Sequence, residues 1–141
     1  MDNLADLIDI VLDQSQKAFI KNEIPVGAII FDPITKKIIS RAHNQELGLN
    51  DPTAHAEILC IRRACKKLNQ KRLDDLELIT YLEPCAMCKE VIKSSRLKKI
   101  YYLFKNDNPR RKTIKTTKYQ LLPWKKENLI KKFFQKKRIN N

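Results

Sequence analysis

Apolar residues recur along the first twenty positions at the spacing of an amphipathic helix. Leu7, Ile8 and Val11 share one face of that helix, so the pattern predicts an α-helix over residues 3–22. The period then changes, and the continuous apolar run at residues 26–31 predicts a mostly buried strand. The same criteria predict, in order, a strand at 37–44, a helix at 54–69, a strand at 76–82, a helix at 85–96 and a strand at 99–104.

The order of these elements predicts the fold class. A helix and two antiparallel strands are followed by alternating helices and strands, which is typical of a three-layer α/β/α sandwich with helices on both faces of a mixed sheet. Beyond Phe104 the pattern weakens. A short fifth strand at 120–122 and a helix at 126–138 are the elements predicted there, and the helix carries Phe133 and Phe134 on one side.

Length and composition are those of one globular domain. The chain has 141 residues, of which 43% are hydrophobic and 32% charged, and we interpret residues 1–141 as a single domain with a basic region from about residue 105. No apolar run approaches the length of a membrane span. The first residues are acidic where a secretory signal is basic, so the sequence predicts a cytoplasmic protein without a membrane partner.

Positive charge is concentrated in the second half of the chain. Residues 1–60 carry 5 Lys and Arg against 9 Asp and Glu, whereas residues 61–141 carry 24 against 7. A surface of this kind favours a polyanionic partner, because each neutralised phosphate releases counterions. Lysine enrichment for solubility is the alternative, and the asymmetry between the halves favours nucleic acid.

Two short motifs carry the candidate chemistry. They are His55-Ala56-Glu57, and Pro84 followed by Cys85 and Cys88. The combination H-x-E and P-C-x-x-C is the signature of zinc-dependent deaminases of nucleobases. Zinc accepts imidazole and thiolate ligands, and a catalytic site uses three of them with one position open for water.

We therefore predict one zinc ion per chain, bound by His55, Cys85 and Cys88. Cysteines three residues apart lie on one face of a helix. Pro84 suits the first position of the third helix, and Thr53 suits the N-cap of the second. Both motifs would then lie at helix N-termini, where the dipole favours thiolate.

Glu57 is the predicted proton shuttle. Zinc with two thiolates is formally neutral, so its water should be a weaker acid than the water of an all-histidine site, and a carboxylate can accept the proton. Residues i and i+2 diverge on a helix, so Glu57 should not share the ligand face with His55. The expected reaction is a hydrolytic deamination in which Glu57 carries protons from the water to the substrate.

Other interpretations of the same residues exist. Singly, His55 could be a core histidine, and Cys85 with Cys88 a redox pair or packed thiols. His43 could complete a closed Cys2His2 site, which would make the zinc structural and Glu57 incidental. In that case the protein would be a non-catalytic, zinc-stabilised RNA-binding protein.

Beyond the zinc signature, residues 4–104 resemble the bacterial tRNA-specific adenosine deaminases of the cytidine-deaminase-like superfamily. The resemblance extends to residues 23–28, to 43–44, to 50–57 and to 82–88. The zinc signature is shared across the superfamily, whereas residues 25–28 and Leu82 are more typical of the tRNA branch. Residues 51–57 also occur in guanine deaminases.

The resemblance implies a cytidine-deaminase-like sandwich with about five strands, a homodimer, and conversion of adenosine to inosine at the anticodon wobble position of tRNA. It implies that Asn44 hydrogen-bonds the purine, and that Pro25, Val26 and Ala56 help to form the substrate pocket. The final helix is similar to the one that contacts RNA in this family, which implies RNA-binding roles for Phe134, Lys136, Lys137 and Arg138.

The chain departs from that family after Phe104. A loop with Gly-Ala and Asp-x-Lys character is expected there, but this sequence has no glycine after Gly48, and its stretch between Phe104 and the final helix is about a dozen residues shorter. The departure bears on substrate identity more than on catalysis. A deaminase of a free base or nucleoside, such as guanine, cytosine or cytidine, is the competing enzyme hypothesis, although a small neutral substrate needs no basic surface.

Overall fold

The computed structural model describes residues 3–107, 118–124 and 127–139. It contains four helices and five strands within these ranges. In chain order they are α1 (Leu4–Ile20), β1 (Gly27–Phe31), β2 (Ile38–His43), α2 (Ala56–Leu68), β3 (Glu77–Leu82), α3 (Ala86–Ser95), β4 (Lys99–Phe104), β5 (Lys118–Leu121) and α4 (Leu129–Ile139).

The strands form one mixed sheet in the order β2-β1-β3-β4-β5. The first strand, β1, is antiparallel to both of its neighbours, whereas β3, β4 and β5 are parallel. Every residue of β1 is buried, which agrees with its unbroken apolar sequence. The helices form two layers, in which α2 packs with α3 and α1 packs with α4. This arrangement confirms the predicted α/β sandwich.

Helix α1 lies unusually close to β1. A Cβ atom on Gly27 would lie 2.5 Å from the Val11 carbonyl oxygen and 2.6 Å from the Ser15 amide nitrogen, so only glycine allows this approach. The Ser15 hydroxyl accepts the Gly27 N–H at 2.9 Å and donates to the Val11 carbonyl. The contact fixes the start of β1, directly after Val26, which lines the cavity described below.

Helix α4 begins later than the predicted residue 126. The Asn128 side chain accepts the Ile130 N–H at 2.9 Å, and the Tyr81 hydroxyl accepts the Leu129 N–H at 2.8 Å. A buried tyrosine of β3 therefore binds the first free amide of the helix, which is a tertiary contact that helical periodicity cannot reveal.

One edge of the sheet collects the ends of several elements. Gly27 at the start of β1 pairs with His43 at the end of β2, and Leu82 at the end of β3 pairs with Phe104 at the end of β4. Helices α2 and α3 also begin near this edge. The predicted motifs on both helices are thus brought together.

Candidate metal centre and base pocket

His55, Cys85 and Cys88 meet at this edge. The Nδ1 atom of His55 lies 3.5 Å from the Cys85 sulfur and 3.3 Å from the Cys88 sulfur. The three ligand atoms lie within 4.8 Å of one another. Among the described residues, these three form the group of His, Cys, Asp or Glu side chains that could hold a metal ion. The structure therefore brings together the three residues predicted to bind the metal.

Helix α2 begins two residues later than predicted, and α3 begins one residue later. His55 is the N-cap of α2 and Cys85 the N-cap of α3, and both have extended backbone angles. Thr53 is not the cap, because its hydroxyl donates to the Asp51 carboxylate at 2.7 Å. Pro84 precedes the cap and is not the first helical residue. These two predictions were wrong, but both motifs still face helix N-termini, where partial positive charge favours anionic ligands.

The donor set fits zinc. Two thiolates and one imidazole nitrogen are soft and borderline ligands that Zn²⁺ prefers, and three protein ligands leave one position for a reacting molecule. His43 does not join the group, since its Nδ1 lies 3.3 Å from the Gln14 Oε1 atom between β2 and α1. This placement contradicts the closed Cys2His2 alternative.

The electrostatics of the group are strongly coupled. A hydrogen bond from the Cys88 thiol lowers the pKa of Cys85 to about 3, and the same bond raises the pKa of Cys88. The hydrogen bond to Cys85 raises the pKa of His55. Because zinc is bound by thiolates, metal binding to this group would release protons.

Glu57 is buried beside these ligands, with 4% of its surface exposed. Burial raises the pKa of Glu57 to about 7, while the neighbouring His55 and Cys88 act in the opposite direction. A carboxylic acid with a pKa near neutrality can both take up and release a proton at physiological pH. On a regular helix, side chains two positions apart point in different directions. His55 is the N-cap and has a non-helical backbone, so this rule does not keep Glu57 away from the ligand atoms.

A cavity of about 310 Å³ opens onto the centre. That volume lies at the lower end of the range for small-molecule sites. It is lined by Ile24, Val26, Asn44, Glu46, His55, Ala56, Glu57, Leu82, Glu83, Cys85 and Asn106. Of the residues expected in the substrate pocket, Pro25 is buried but does not line the cavity, and its neighbour Ile24 does.

Asn44 lines this cavity and carries a buried polar atom without a partner in the part of the chain that the structure describes. Only 3% of the residue is exposed, and its side-chain oxygen has no hydrogen-bond partner among the described residues. Its backbone N–H donates to the Val26 carbonyl at 2.9 Å, which fixes the residue against β1. A buried unsatisfied amide oxygen is costly, so the arrangement fits a ligand that donates a hydrogen bond.

The two phenylalanines of α4 have different environments. Phe133 is 6% exposed and packs edge-on against Phe19 of α1, with ring centroids 6.4 Å apart. Phe134 is 44% exposed and lines a second, mostly apolar cavity of about 270 Å³ that shares Ile24, Asn44 and Glu46 with the first.

The basic residues of α4 surround these rings. The ammonium groups of Lys136 and Lys137 lie over the rings of Phe19 and Phe133, at 5.6 Å and 5.3 Å from the respective centroids. Lys137 also lines the second cavity. The side chain of Arg138, which sequence reasoning grouped with them, lies outside the described residues.

Sequence reasoning missed a buried cation beside the cysteine turn. Lys89, one residue after Cys88, is only 8% exposed; its Nζ lies 3.6 Å from a Glu83 oxygen and 5.3 Å from the centroid of the Tyr119 ring. The other Glu83 oxygen accepts the backbone N–H of Asn106. A lysine at helical spacing ordinarily indicates a solvated face, so no sequence signal distinguishes this one.

Together, the fold and the site define an α/β sandwich with a His-Cys-Cys group that could hold a metal ion at the starts of two helices. The family model for the cytidine and deoxycytidylate deaminase zinc-binding region matches residues 1–104. The chain belongs to this family. No helix in the described parts of the chain is long and apolar enough to span a membrane.

Individual relatives point to a branch of the family. A tRNA-specific adenosine deaminase of Rickettsia bellii is 46% identical over 91 residues, which cover 64% of this chain and 63% of that protein. A guanine deaminase of Bacillus subtilis is 45% identical over 78 residues, covering 55% of this chain and 49% of the relative. The chain thus spans less than two thirds of the length of these relatives.

The fold has a counterpart among solved structures. A chain solved in biochemical and structural studies of A-to-I editing by tRNA:A34 deaminases at the wobble position of transfer RNA superposes with a TM-score of 0.73. The sequence identity is 29%, and the match covers 84% of this chain and 98% of the other.

Proposed function

We propose that this protein is a zinc-dependent hydrolytic deaminase that converts adenosine to inosine in tRNA, at the anticodon wobble position. One observation carries the proposal: a buried carboxylate, Glu57, lines the same cavity as His55 and Cys85 of the His-Cys-Cys donor set, and this cavity is large enough for a base. The similarity to tRNA-specific adenosine deaminases supports this substrate.

In this proposal His55, Cys85 and Cys88 bind one zinc ion. Zinc held there would supply a nucleophilic water at neutral pH. The ligands come from two helix N-termini, whose partial positive charges are offset by the thiolates. Because the residues are prearranged, metal binding requires proton release and little movement of the backbone.

Glu57 carries the protons in this mechanism. It accepts the proton that the attacking water loses as a C–O bond forms at the amino-bearing carbon of adenine, and it delivers that proton to the adjacent ring nitrogen. A second proton passes from the new hydroxyl group through Glu57 to the amino group. The C–N bond then breaks, and ammonia and inosine are the products.

Asn44 reads the base in this proposal. Its unsatisfied side-chain oxygen can accept a hydrogen bond from a purine, and its amide nitrogen can donate one. Val26 and Ala56 provide apolar walls of the cavity, and the buried Pro25 directly precedes Val26 in the chain. To enter this cavity, a base in an RNA loop must leave its stack.

The rest of the RNA would contact the basic C-terminal region. Phe134 offers an exposed ring for stacking, and Lys136 and Lys137 offer charges for phosphate, with Arg138 next in sequence. We further propose a homodimer in the cytoplasm. The exposed apolar side chains of Leu47, which lines the second cavity, and of Leu49 support a second subunit, which sedimentation analysis can detect.

The proposal is tested by incubating the zinc-loaded protein with an anticodon stem-loop that carries a wobble adenosine. We expect inosine in that RNA and no ammonia release from free adenosine, guanine or cytidine. A stem-loop with guanosine at the wobble position controls for contamination. Release of ammonia from guanine, without inosine in the RNA, would replace the proposed substrate by a free base, which the similarity to guanine deaminase makes the second candidate.

A further inference from the structure

The imidazole ring of His55 has contacts on both of its nitrogen atoms. Nδ1 faces the two sulfurs, at 3.5 Å from Cys85 and 3.3 Å from Cys88. The opposite nitrogen, Nε2, lies 3.3 Å from the Oε1 atom of Glu46. The ring is therefore held between the candidate metal ligands on one side and a carboxylate on the other.

The loop that carries Glu46 is fixed by hydrogen bonds. Glu23, which is 4% exposed, accepts the Leu47 N–H at 3.0 Å with one oxygen and the Gly48 N–H at 2.8 Å with the other. The Glu46 carbonyl accepts the Asp51 N–H at 3.0 Å. The loop backbone therefore holds Glu46 in place independently of its contact with His55.

We propose that Glu46 is a positioning residue for the metal centre, acting through His55. The inference rests on the proposed function, since it assumes that His55 binds zinc. A carboxylate that accepts a hydrogen bond from Nε2–H favours the tautomer whose proton is on Nε2. The lone pair is then on Nδ1, which is the atom facing the sulfurs. Such partners of a metal-binding histidine fix its tautomer and ring orientation and strengthen its binding to the metal.

The charges around the site are consistent with this role. A divalent ion bound by two thiolates is formally neutral, and a neutral imidazole ligand adds no charge to it. A hydrogen bond from this imidazole to a carboxylate holds the ring in place. Glu46 is 31% exposed and His55 26% exposed at their side chains, so neither is locked by packing alone. The orientation of the ring thus depends on its polar contacts.

Glu46 also lines both cavities, so a direct contact with substrate is the competing role. The two roles differ in what they change. Loss of a positioning residue weakens zinc binding in the absence of any substrate. Loss of a substrate contact raises KM and leaves the affinity for zinc unchanged.

The experiment measures the zinc dissociation constant of the full chain by competition with a chromophoric chelator, without RNA. We expect Glu46→Ala to weaken zinc binding by about 10- to 100-fold, and Glu46→Gln by less, because the amide oxygen still accepts a hydrogen bond. Glu90→Gln is the matched control. It removes the same charge from an exposed position two residues beyond Cys88, and we expect no loss of zinc affinity.

Cobalt-substituted protein provides a spectroscopic readout. A change in the orientation of His55 should shift the visible absorption bands of cobalt in Glu46→Ala and leave them unchanged in Glu90→Gln. Thermal unfolding of the metal-free variants should match the wild type, since Glu23 still holds the loop. This comparison separates an altered site from an altered fold.

The outcomes are distinguishable from failure of the proposed function. If the wild type itself binds no zinc, the proposed function fails first. If the wild type binds zinc and Glu46→Ala binds it as tightly, with unchanged cobalt bands, the positioning role is overturned while the proposed function stands. An equal loss of zinc affinity in Glu90→Gln would attribute the effect to general charge and would also overturn it.

Discussion

The chain divides at Phe104 into two regions of very different charge. Residues 1–104 match the deaminase family model and carry 16 Lys and Arg against 14 Asp and Glu, whereas residues 105–141 carry 13 against 2. The first region holds the proposed metal ligands and Glu57, and the second supplies α4 and its cations. Under the proposed function, the nearly neutral region performs the chemistry and the basic region provides affinity for the polyanionic RNA.

The largest expected effect comes from removing a proposed ligand. Cys88→Ala should abolish zinc binding and all turnover, because two remaining ligands cannot hold the ion. Cys60→Ala is the control, since Cys60 is equally buried but hydrogen-bonds to Ser40 and not to the metal group. Metal content by atomic absorption decides. Zinc retained at one equivalent in Cys88→Ala would remove this residue from the site.

Glu57→Gln should separate chemistry from binding within the first region. Turnover should fall by about 10²- to 10⁴-fold, the usual contribution of a positioned acid–base group. Zinc content and RNA affinity should stay at the wild-type level, because glutamine has the shape of glutamate and position 57 supplies no ligand to the metal and no contact to phosphate. Single-turnover kinetics with the stem-loop give the rate. A variant that keeps its rate would exclude Glu57 from the mechanism.

Phe134→Ala tests the second region. The exposed ring should contribute about 1–3 kcal/mol to RNA binding by stacking, so the variant should bind the stem-loop more weakly at unchanged thermal stability. Phe133→Ala should do the reverse, since its buried ring packs on Phe19 and its loss destabilises the fold. Fluorescence anisotropy and thermal unfolding measure the two quantities. Equal RNA affinity in wild type and Phe134→Ala would contradict the stacking role.

The charge comparison itself is tested by salt. RNA affinity should fall steeply with salt concentration. Neutralising Lys136 and Lys137 together should make the plot of log affinity against log salt concentration less steep, by the amount expected for the loss of about one to two phosphate contacts. Neutralising Lys66 and Lys67, an exposed pair on α2 in the first region, is the control and should leave the slope unchanged. An equal effect of the two pairs would show that charge acts without regard to region.

His43 gives the smallest expected effect, on stability and not on chemistry. Burial lowers the pKa of His43, with Lys21, Arg63 and Lys17 adding to the shift and Glu23 opposing it. As the pH falls below 6.5, His43 is protonated more readily in the unfolded chain than in the folded protein. The free energy of unfolding therefore decreases until the pH has passed the lower pKa of His43 in the folded state. His43→Gln should flatten this part of the stability profile. The comparison uses chemical denaturation at equal zinc concentrations, and parallel profiles would contradict it.

Much of the fold could be predicted because its signals are local. The unbroken apolar run of β1 and the periodicity of α1 are legible from neighbouring residues, and the predicted bounds of β4 are the observed ones. The predicted starts of α2 and α3 differ from the observed ones by a residue or two. The Thr53 hydroxyl is a plausible cap by residue type, but the Asp51 carboxylate competes for it, and that contact depends on the folded loop.

The candidate site could also be predicted only where the signal is local. His55, Cys85, Cys88 and Glu57 could be chosen from sequence because thiolates, an imidazole and a carboxylate at these spacings suit few other purposes. Nothing in the sequence distinguished Glu46 from any polar loop residue, or Lys89 from a solvated lysine. Their roles arise from neighbours 9 and 6 positions away, His55 and Glu83, that only the chain's path brings within reach.

The sequence by itself determined which atoms are available for chemistry, where helices and strands form, and that positive charge accumulates towards the C-terminus, since these depend on residue type and near neighbours. The tertiary structure decided which of those atoms meet. It turned His43 towards Gln14 and away from the sulfurs, placed Glu46 behind His55, and exposed Phe134 while burying Phe133. Such choices depend on contacts between distant segments, whose geometry is set only when the sheet and its helices pack together.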